Sequence, residues 1–136
     1  MMTLFYAGAL CLLGIVLALQ TIRTRFSTET FMGTGESLEM LQITRAHGNL
    51  VEYALFFLVL SALLETAGQI PNLATGLLGD VFLAARIAHA YGITRPEGKS
   101  VFRVGGTLTT LTVLLIQSIW ALKISISWLV VNNWGF

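Results

Sequence analysis

The feature that most constrains this chain is a pair of apolar stretches, Met2–Gln20 and Val104–Leu122, in which no residue is charged. Each is close to the roughly 20 residues that a helix needs to cross the hydrocarbon core of a bilayer. Their apolar residues run continuously rather than alternating with polar ones, which argues against the strands of a membrane β-barrel. Because lipid offers no hydrogen bonds, a spanning segment of this kind must satisfy its own backbone groups as a helix. The sequence therefore predicts an integral membrane protein in contact with the lipid bilayer.

Two further stretches, residues 44–66 and 72–91, are apolar but carry a few polar residues. Glycine, proline and polar residues separate them from their neighbours, as expected of turns between helices. Only 11% of the 136 residues are charged, against about a quarter in a soluble domain. We therefore expect an all-α, four-helix membrane bundle. Residues 1–136 form a single domain in this prediction, with spans at about 2–20, 44–66, 72–91 and 104–128.

Composition also excludes several classes of function. The net charge of +1 is too small for a nucleic-acid-binding surface, which needs a basic field. The single cysteine, Cys11, rules out a disulfide framework and a cysteine-rich metal site. Small proton-coupled multidrug exporters also have four spans, but they resemble one another in a glutamate within the first span, and this chain has none there. We expect no metal, no nucleic acid and no exporter activity.

The basic residues are distributed unevenly among the loops. They cluster within or at the edges of the loops after the first and third spans: Arg23, Arg25, Arg45, Arg95, Lys99 and Arg103. The two tails and the turn at residues 68–72 contain no lysine or arginine. By the positive-inside rule, both charged loops are cytoplasmic and both termini face outward. We expect a multi-pass protein of the inner or plasma membrane whose site faces the cytoplasm.

Polar residues inside the second and third spans indicate a functional site. A charge at membrane depth costs at least about 2.5–3.5 kcal/mol, so such residues usually face the interior of a bundle. Arg45, Asn49 and Glu52 follow spacings of four and three and share one helix face. Arg86 and His89 share a face of the third helix, and antiparallel packing brings them to the depth of the first group. These residues are predicted to converge in the cytoplasmic half of the bundle.

Two interpretations of this cluster remain open. In one, Arg86 and Glu52 form only a structural ion pair that fixes the register of two helices. In the other, the cluster binds a ligand, because one carboxylate cannot neutralise Arg45, Arg86 and Arg103 together. The surplus positive charge then predicts an anionic ligand with a small polar head. Asp80 has no assigned partner and is expected to act in helix packing.

The sequence around these residues resembles that of a known family. The run Arg45–Tyr53 has an arginine, an asparagine four residues later and a glutamate three residues after that. This is similar to the second-helix signature of the MAPEG family, the membrane-associated proteins of eicosanoid and glutathione metabolism. The stretch Ala85–His89 resembles the third helix of that family. Arg103, after a short basic loop, resembles the arginine that opens the fourth.

The resemblance implies a homotrimer with sites between adjacent subunits, open to the cytoplasmic half of the bilayer, that bind glutathione as co-substrate. Arg45 and Arg86 would bind its carboxylates, while Asn49 and Glu52 would hold polar groups such as the ammonium. Arg103 would be the catalytic residue that stabilises the thiolate, and a lipophilic small molecule would arrive from the lipid. The further candidates for substrate binding by this resemblance are Tyr53, His89 and Tyr91.

The sequence departs from the eicosanoid-forming branch of that family. Gly48 stands where the prostaglandin-synthase-like branch has a second arginine, and Gly105, Gly106 and Thr107 follow Arg103 where some relatives place a tyrosine. In these respects the chain is similar to the bacterial-type members. Two functions remain open: a glutathione-dependent transferase or peroxidase acting on lipophilic electrophiles or hydroperoxides, and a non-catalytic trimer that binds a lipid or lipophilic partner.

Overall fold

A computed structural model describes residues 1–68, 70–95 and 100–135, and the statements below concern these residues. They form four long helices: α1 (Met2–Ser27), α2 (Leu38–Thr66), α3 (Asn72–Ile93) and α4 (Val101–Val131). All four are long and apolar enough to cross a membrane, and the described residues include no strand. The predicted all-α, four-helix fold is confirmed, and it fits a multi-pass integral membrane protein. Gln69 of the predicted turn and Lys99 of the third loop lie outside the described residues.

The helices extend further than the apolar stretches predict. α1 continues through Arg23 and Arg25 to Ser27, and the Arg25 guanidinium donates to three carbonyl oxygens of the following loop at 3.1–3.3 Å. α2 begins before residue 44, because Ser37 accepts a hydrogen bond from the backbone N–H of Met40 at 3.2 Å and caps the helix. Hydropathy marks the part of a helix inside the membrane, whereas capping decides where the helix ends.

The helices α2 and α3 are central to the bundle, since each contacts the three other long helices. Each of these helices contacts α1 and α4, while α1 and α4 make no contact with each other in the described part of the chain. The most extensive pairing is between α3 and α4. Consecutive helices run antiparallel, so α1 and α3 end where α2 and α4 begin. We call this the basic end because five arginines lie at or near it: Arg23, Arg25, Arg45, Arg95 and Arg103.

Aromatic residues fill the core between α1, α2 and α3. Phe57 stacks on Phe82 with ring centroids 4.0 Å apart, and Tyr6 meets Phe57 edge-on at 6.3 Å. The Tyr6 ring lies against Gly79, where a Cβ atom would collide with it. The glycine therefore permits the close approach of α1 to α3, as small residues do between membrane helices.

Asp80, for which the sequence suggested no partner, is bound by α1. The Tyr6 hydroxyl lies 2.8 Å from Asp80 Oδ1 and 2.7 Å from the carbonyl oxygen of Gly76, and it shares its single hydrogen between these two acceptors. The contact joins α1 to α3, in keeping with the helix-packing role expected of Asp80.

Other polar groups of the helices are also paired across the bundle. Glu65 accepts hydrogen bonds from the first two backbone N–H groups of α1 at 2.8 and 2.9 Å, and the amino group of Met1 forms an ion pair with it. A carboxylate at this position stabilises the N-terminus of α1. Gln117 Nε2 donates to Ser61 Oγ at 2.7 Å and joins α4 to α2. Such bonds hold membrane helices together where no water is available.

Candidate functional site

A groove opens between α2 and α4 at the basic end of the bundle, and α3 forms its floor. Its volume is about 640 Å³, within the roughly 300–1,000 Å³ of small-molecule sites. We call it the basic groove. Its lining combines five apolar side chains with six polar ones: Leu38, Leu41, Gln42, Arg45, Asn49, His89, Ile93, Arg103, Val104, Thr107 and Leu108. Four of the residues singled out in the sequence, Arg45, Asn49, His89 and Arg103, thus share one opening.

The α2 wall carries the first two of these residues one turn apart. Arg45 is exposed and Asn49 is half-buried. Asn49 Nδ2 donates to the Arg45 carbonyl oxygen at 2.8 Å, which leaves its amide oxygen as an acceptor. Arg45 forms no ion pair with any residue that the structure describes. Its guanidinium therefore keeps its full set of donors for a ligand.

The α3 floor and the α4 wall meet at an unusually close helix contact. A Cβ atom at Gly106 would lie 2.6 Å from the Ala85 carbonyl oxygen and 2.9 Å from His89 Cβ, so only glycine permits this approach. His89 is 6% exposed. Its Nδ1 lies 3.1 Å from the Arg103 carbonyl oxygen and 3.0 Å from Thr107 Oγ1. The contact holds the backbone of Arg103 at the rim of the groove.

Thr107 is the groove residue that sequence reasoning missed as a candidate. Its hydroxyl donates to the Arg103 carbonyl oxygen at 2.9 Å. The Thr107 hydroxyl oxygen itself lies 3.0 Å from His89 Nδ1. The sequence feature that points to Thr107 is its position four residues after Arg103, because this spacing places both residues on the same face of α4.

Arg86 lies beneath the basic groove rather than in its lining. The side chain is 1% exposed. Its Nη2 donates to the Gly106 carbonyl oxygen at 3.0 Å, and its guanidinium carbon lies 5.1 Å from the centre of the Tyr53 ring. Nε and Nη1 have no hydrogen-bond partner in the described part of the chain. A cation–π contact and one carbonyl oxygen therefore replace the acidic partner that the sequence suggested.

The ion pair between Arg86 and Glu52, one of the two interpretations that the sequence left open, is not formed among the described residues. Glu52 is exposed on α2, and its Oε1 is 3.9 Å from the position that a Cβ atom would take at Gly48. The predicted position of this part of α2, at the level of Arg86, is confirmed, because the residue after Glu52, Tyr53, contacts Arg86. Successive helix residues are turned by about 100°, so Tyr53 points inward where Glu52 points outward.

Tyr91 also lies outside the groove. It is half-exposed, and its hydroxyl accepts a hydrogen bond from Arg95 Nη2 at 2.6 Å. The Arg95 guanidinium lies over the same ring at 4.4 Å, and Phe102 meets the ring edge-on at 5.6 Å. The eight candidates thus fall into three groups: four in the basic groove, Tyr53 and Arg86 beneath it, and Glu52 and Tyr91 on the surface.

Comparison with known proteins assigns the chain to a family. A model of the MAPEG family matches residues 3–123. The chain belongs to the MAPEG family. Members of this family include glutathione transferases and related enzymes, and they generally use glutathione. The match includes every residue that lines the basic groove. A search of curated proteins finds no match.

In this MAPEG chain the basic groove is suited to an anion with additional polar groups. None of the described residues that line it is acidic, whereas two are arginines. Guanidinium groups bind carboxylates through two parallel hydrogen bonds. Asn49 adds an amide oxygen, whereas Nε2 of His89 is buried and has no partner among the described residues. The apolar lining of Leu41, Val104 and Leu108 leaves room for a hydrophobic group beside the polar one.

Proposed function

We propose that this MAPEG protein is a membrane-bound glutathione-dependent transferase or peroxidase that acts on lipophilic electrophiles or hydroperoxides. The observation that carries the proposal is the basic groove itself. Arg45 and Arg103 line one opening together with Asn49 and His89, and no described acidic residue in the lining balances the two positive charges. Glutathione supplies the matching groups, since it has two carboxylates, one ammonium and a thiol.

Binding follows from the groups on the α2 wall. In this proposal Arg45 holds a carboxylate of glutathione by charge-assisted hydrogen bonds. The Asn49 amide oxygen accepts from an N–H group of the ligand, since its amide nitrogen is already used. Glu52, exposed on the same helix, receives the ammonium group at the edge of the site. Arg86 and Tyr53 support the floor of the groove from below.

Chemistry follows from the position of Arg103 at the rim. A thiol has a pKa near 8.5 and reacts as its thiolate. A guanidinium beside the sulfur, in a groove bounded by lipid, stabilises that anion because the local dielectric constant is low. In the proposed transfer the thiolate sulfur forms a bond to an electrophilic carbon, and the leaving group departs with its bonding electron pair. In the proposed peroxidase reaction the sulfur instead attacks the terminal oxygen of the hydroperoxide, the O–O bond breaks, and the alkoxide takes up a proton and leaves as the alcohol. A second glutathione then reduces the resulting glutathione sulfenic acid to the disulfide, with release of water.

The assembly and the location of the site belong to the same proposal. We propose a homotrimer in which the groove lies between adjacent subunits, as the family suggests, with the basic end on the cytoplasmic side by the positive-inside rule. The large apolar surface of α4 supports burial against lipid or another copy, because most of its side chains are exposed in the single chain.

A second observation favours the alternative function of non-catalytic lipid binding. The opposite ends of α2 and α4 enclose another groove of about 800 Å³, lined mainly by leucine, alanine, isoleucine and tryptophan. We call it the apolar groove. It suits an acyl chain and offers no charged group to a thiol. A protein that used only this groove would bind lipid and leave glutathione free.

The proposal is tested by glutathione binding to the purified protein in lipid nanodiscs, with ultraviolet absorbance to detect the thiolate. The wild-type protein is expected to bind glutathione and to show the thiolate band. Arg103→Ala is expected to lose the band and to lower the transfer rate by about 10²–10³, as does removal of one donor that stabilises a developing anion.

The matched control is Arg95→Ala, which removes an exposed arginine of the same end that bonds to Tyr91 and does not line the groove. It should leave binding and absorbance unchanged. Absence of binding at millimolar glutathione would refute the proposal and favour the lipid-binding alternative.

A further inference from the structure

The last turn of α3 contains a glycine whose missing side chain leaves room for the first turn of α4. Gly92 is buried. A Cβ atom there would overlap the backbone nitrogen of Arg103, and it would lie 2.8 Å from Ser100 Oγ and 3.0 Å from the carbonyl carbon of Phe102. The nearest of these atoms belongs to the backbone and cannot swing aside as the end of a side chain can. Only glycine therefore permits this contact between α3 and α4.

The backbone conformation of Gly92 does not itself require glycine. The residue lies inside α3, which continues to Ile93, and its φ is not among the positive ones. Within a helix, glycine is less favourable than alanine, because it loses more conformational freedom on folding. The chain thus has an unfavourable residue at this position, and what the residue makes possible is the close approach of α4.

The contact at Gly92 is one of two that hold the backbone of Arg103. On the nitrogen side, Arg103 lies against Gly92. On the other side, its carbonyl oxygen accepts a hydrogen bond from the Thr107 hydroxyl at 2.9 Å and lies 3.1 Å from His89 Nδ1. The peptide groups on both sides of the Arg103 Cα atom are thus held. They determine the direction in which its side chain leaves α4.

This direction is important because the Arg103 side chain is long and has few other constraints. Arg103 is exposed, lines the basic groove and forms no ion pair among the described residues. A donor stabilises an anion best when it is in place before the charge develops. With alanine at position 92, the first turn of α4 would have to withdraw by roughly 1 Å to restore ordinary contact. A misplacement of about 1 Å can lower a rate by about 100-fold.

We propose that Gly92 is a positioning residue: by admitting the first turn of α4 against α3, it places Arg103 for the stabilisation of a thiolate in the basic groove. The inference rests on the proposed function for the identity of that thiolate as glutathione. It adds that binding and chemistry are separable. Gly92 does not line the groove, and the atoms nearest to its Cβ position all belong to the start of α4 and not to the α2 wall.

The experiment compares Gly92→Ala with Gly105→Ala in nanodiscs that contain the full chain. Both substitutions add one methyl group to a helix, but a Cβ atom at Gly105 meets nothing within 4 Å. Ultraviolet absorbance as a function of pH gives the midpoint at which half of the bound glutathione is thiolate. Titration calorimetry gives the Kd of glutathione at a pH low enough to keep the thiol protonated. Steady-state kinetics with an activated aryl chloride give kcat.

Gly92→Ala should raise the thiolate midpoint by about one pH unit and lower kcat by about tenfold, since one unit is a tenfold change in that equilibrium. The Kd of glutathione should change by less than about twofold, and Gly105→Ala should alter none of the three values. In a protein that already carries Arg103→Ala, adding Gly92→Ala should have no further effect on the midpoint or on kcat, because Gly92 acts through Arg103. A purely structural role would lower stability without this dependence on Arg103.

A second variant tests the same hold on Arg103 if Gly92→Ala does not fold. Thr107→Val leaves the room at Gly92 unchanged and releases only the carbonyl oxygen of Arg103. It should raise the thiolate midpoint by about half a unit, the effect of one neutral hydrogen bond, and Thr107→Ser should restore the wild-type value. An unchanged midpoint in Thr107→Val would count against the inference.

Two further outcomes would overturn the inference. One is a folded Gly92→Ala protein with the wild-type midpoint and kcat. The other is an additional loss when Gly92→Ala is combined with Arg103→Ala, since Gly92 would then act through another group.

Failure of the proposed function is distinguishable from failure of this inference. If the wild-type protein does not bind glutathione, the proposed function fails, and NMR of the ligand-free protein decides whether Gly92 positions Arg103. Selective ¹⁵N-arginine labelling gives six backbone amide signals, and Arg103→Lys assigns one of them. Gly92→Ala should shift the Arg103 signal. Gly8→Ala, whose Cβ atom meets nothing within 4 Å in α1, should not. An Arg103 signal that Gly92→Ala leaves in place would overturn the positioning role.

Discussion

The basic groove and the apolar groove are formed by the same two helices and differ in chemistry. Both open between α2 and α4, with volumes of about 640 and 800 Å³. The basic groove contains two arginines, an asparagine and a histidine, whereas none of the described residues that line the apolar groove is charged. Towards the apolar groove, the hydrogen bond from Gln117 to Ser61 joins the two helices.

The chemistry of the two linings indicates which of the two openings requires a specific ligand. Acyl chains of the bilayer satisfy an apolar groove without any particular recognition, since lipid is as apolar as the side chains. Charged groups at membrane depth are costly unless they are paired or solvated, and they usually mark a site. Arg45 and Arg103 have no acidic partner in the described part of the chain. The basic groove is therefore the opening whose charged groups call for a specific ligand.

Replacing Arg45, the charged residue of the α2 wall, is expected to have the largest effect, a loss of glutathione affinity. Arg45→Ala should weaken binding by about 1.5–3 kcal/mol, the value of hydrogen bonds to a charged group, which corresponds to roughly 10- to 150-fold in Kd. Isothermal titration calorimetry measures this change. Lys123→Ala, which removes an exposed charge from α4 far from the basic groove, is the control and should leave Kd unchanged. Equal losses in the two variants would mean that general charge, and not the groove, binds the ligand.

The next effect concerns the close contact that shapes the floor of the basic groove. Gly106→Ala should lower the free energy of unfolding by about 1–3 kcal/mol, because the added Cβ forces α3 and α4 apart as overpacking does in other cores. Gly105→Ala is the control, since a Cβ atom at Gly105 meets nothing within 4 Å. Unfolding in mixed micelles measures both. An unchanged Gly106→Ala protein would show that α3 and α4 are not held at this distance.

The third prediction concerns Arg86, which is buried beneath the basic groove and does not line it. Arg86→Met should raise the free energy of unfolding by about 1 kcal/mol, because replacing a buried charge by an apolar side chain of similar length is often stabilising. Glutathione affinity should change by less than about twofold, or 0.4 kcal/mol, because Arg86 does not line the groove. If Arg86→Met lowered glutathione affinity as much as Arg45→Ala does, Arg86 would bind a carboxylate directly, as the family resemblance implies.

The smallest effect concerns the link between the two helices beside the apolar groove. Ser61→Ala and Gln117→Leu should show a coupling energy of about 0.6 kcal/mol in a double-mutant cycle, the average for hydrogen bonds between membrane helices. Unfolding in mixed micelles supplies the four values. Neither variant should alter glutathione binding at the basic groove, and a change there would indicate that the two grooves are coupled through α2 and α4.

The sequence predicts the position of a residue along its helix better than it predicts the direction in which the side chain points. Arg45 and Asn49 share a face because they are four residues apart, and His89 reaches their level because α3 is antiparallel to α2. These features follow from helix geometry alone. The missing partner of Arg86 illustrates the limit, since hydropathy does not tell which of Glu52 and Tyr53 points inward. That choice depends on the rotation of α2, which tertiary packing around Phe57 and Phe82 decides.

Contacts that join distant parts of the chain could not be predicted either. Tyr6 and Asp80 are far apart in the sequence, and neither has a local pattern that identifies the other. The role of Thr107 depends on the close approach of two helices at Gly106. A single sequence shows small residues there, but small residues permit close packing without specifying which helix approaches.

Filling each groove in turn with a bulky side chain tests whether glutathione binds in the basic groove. Leu108 and Leu122 are matched for this purpose, because both lie on α4, both are about equally exposed (60% and 59%), and each lines one groove. Titration calorimetry in nanodiscs then compares glutathione binding to the wild-type, Leu108→Trp and Leu122→Trp proteins. Our account predicts that Leu108→Trp lowers affinity by about tenfold or more, a loss of at least 1.4 kcal/mol, while Leu122→Trp leaves it unchanged. Undiminished binding to Leu108→Trp, or a loss confined to Leu122→Trp, would contradict it.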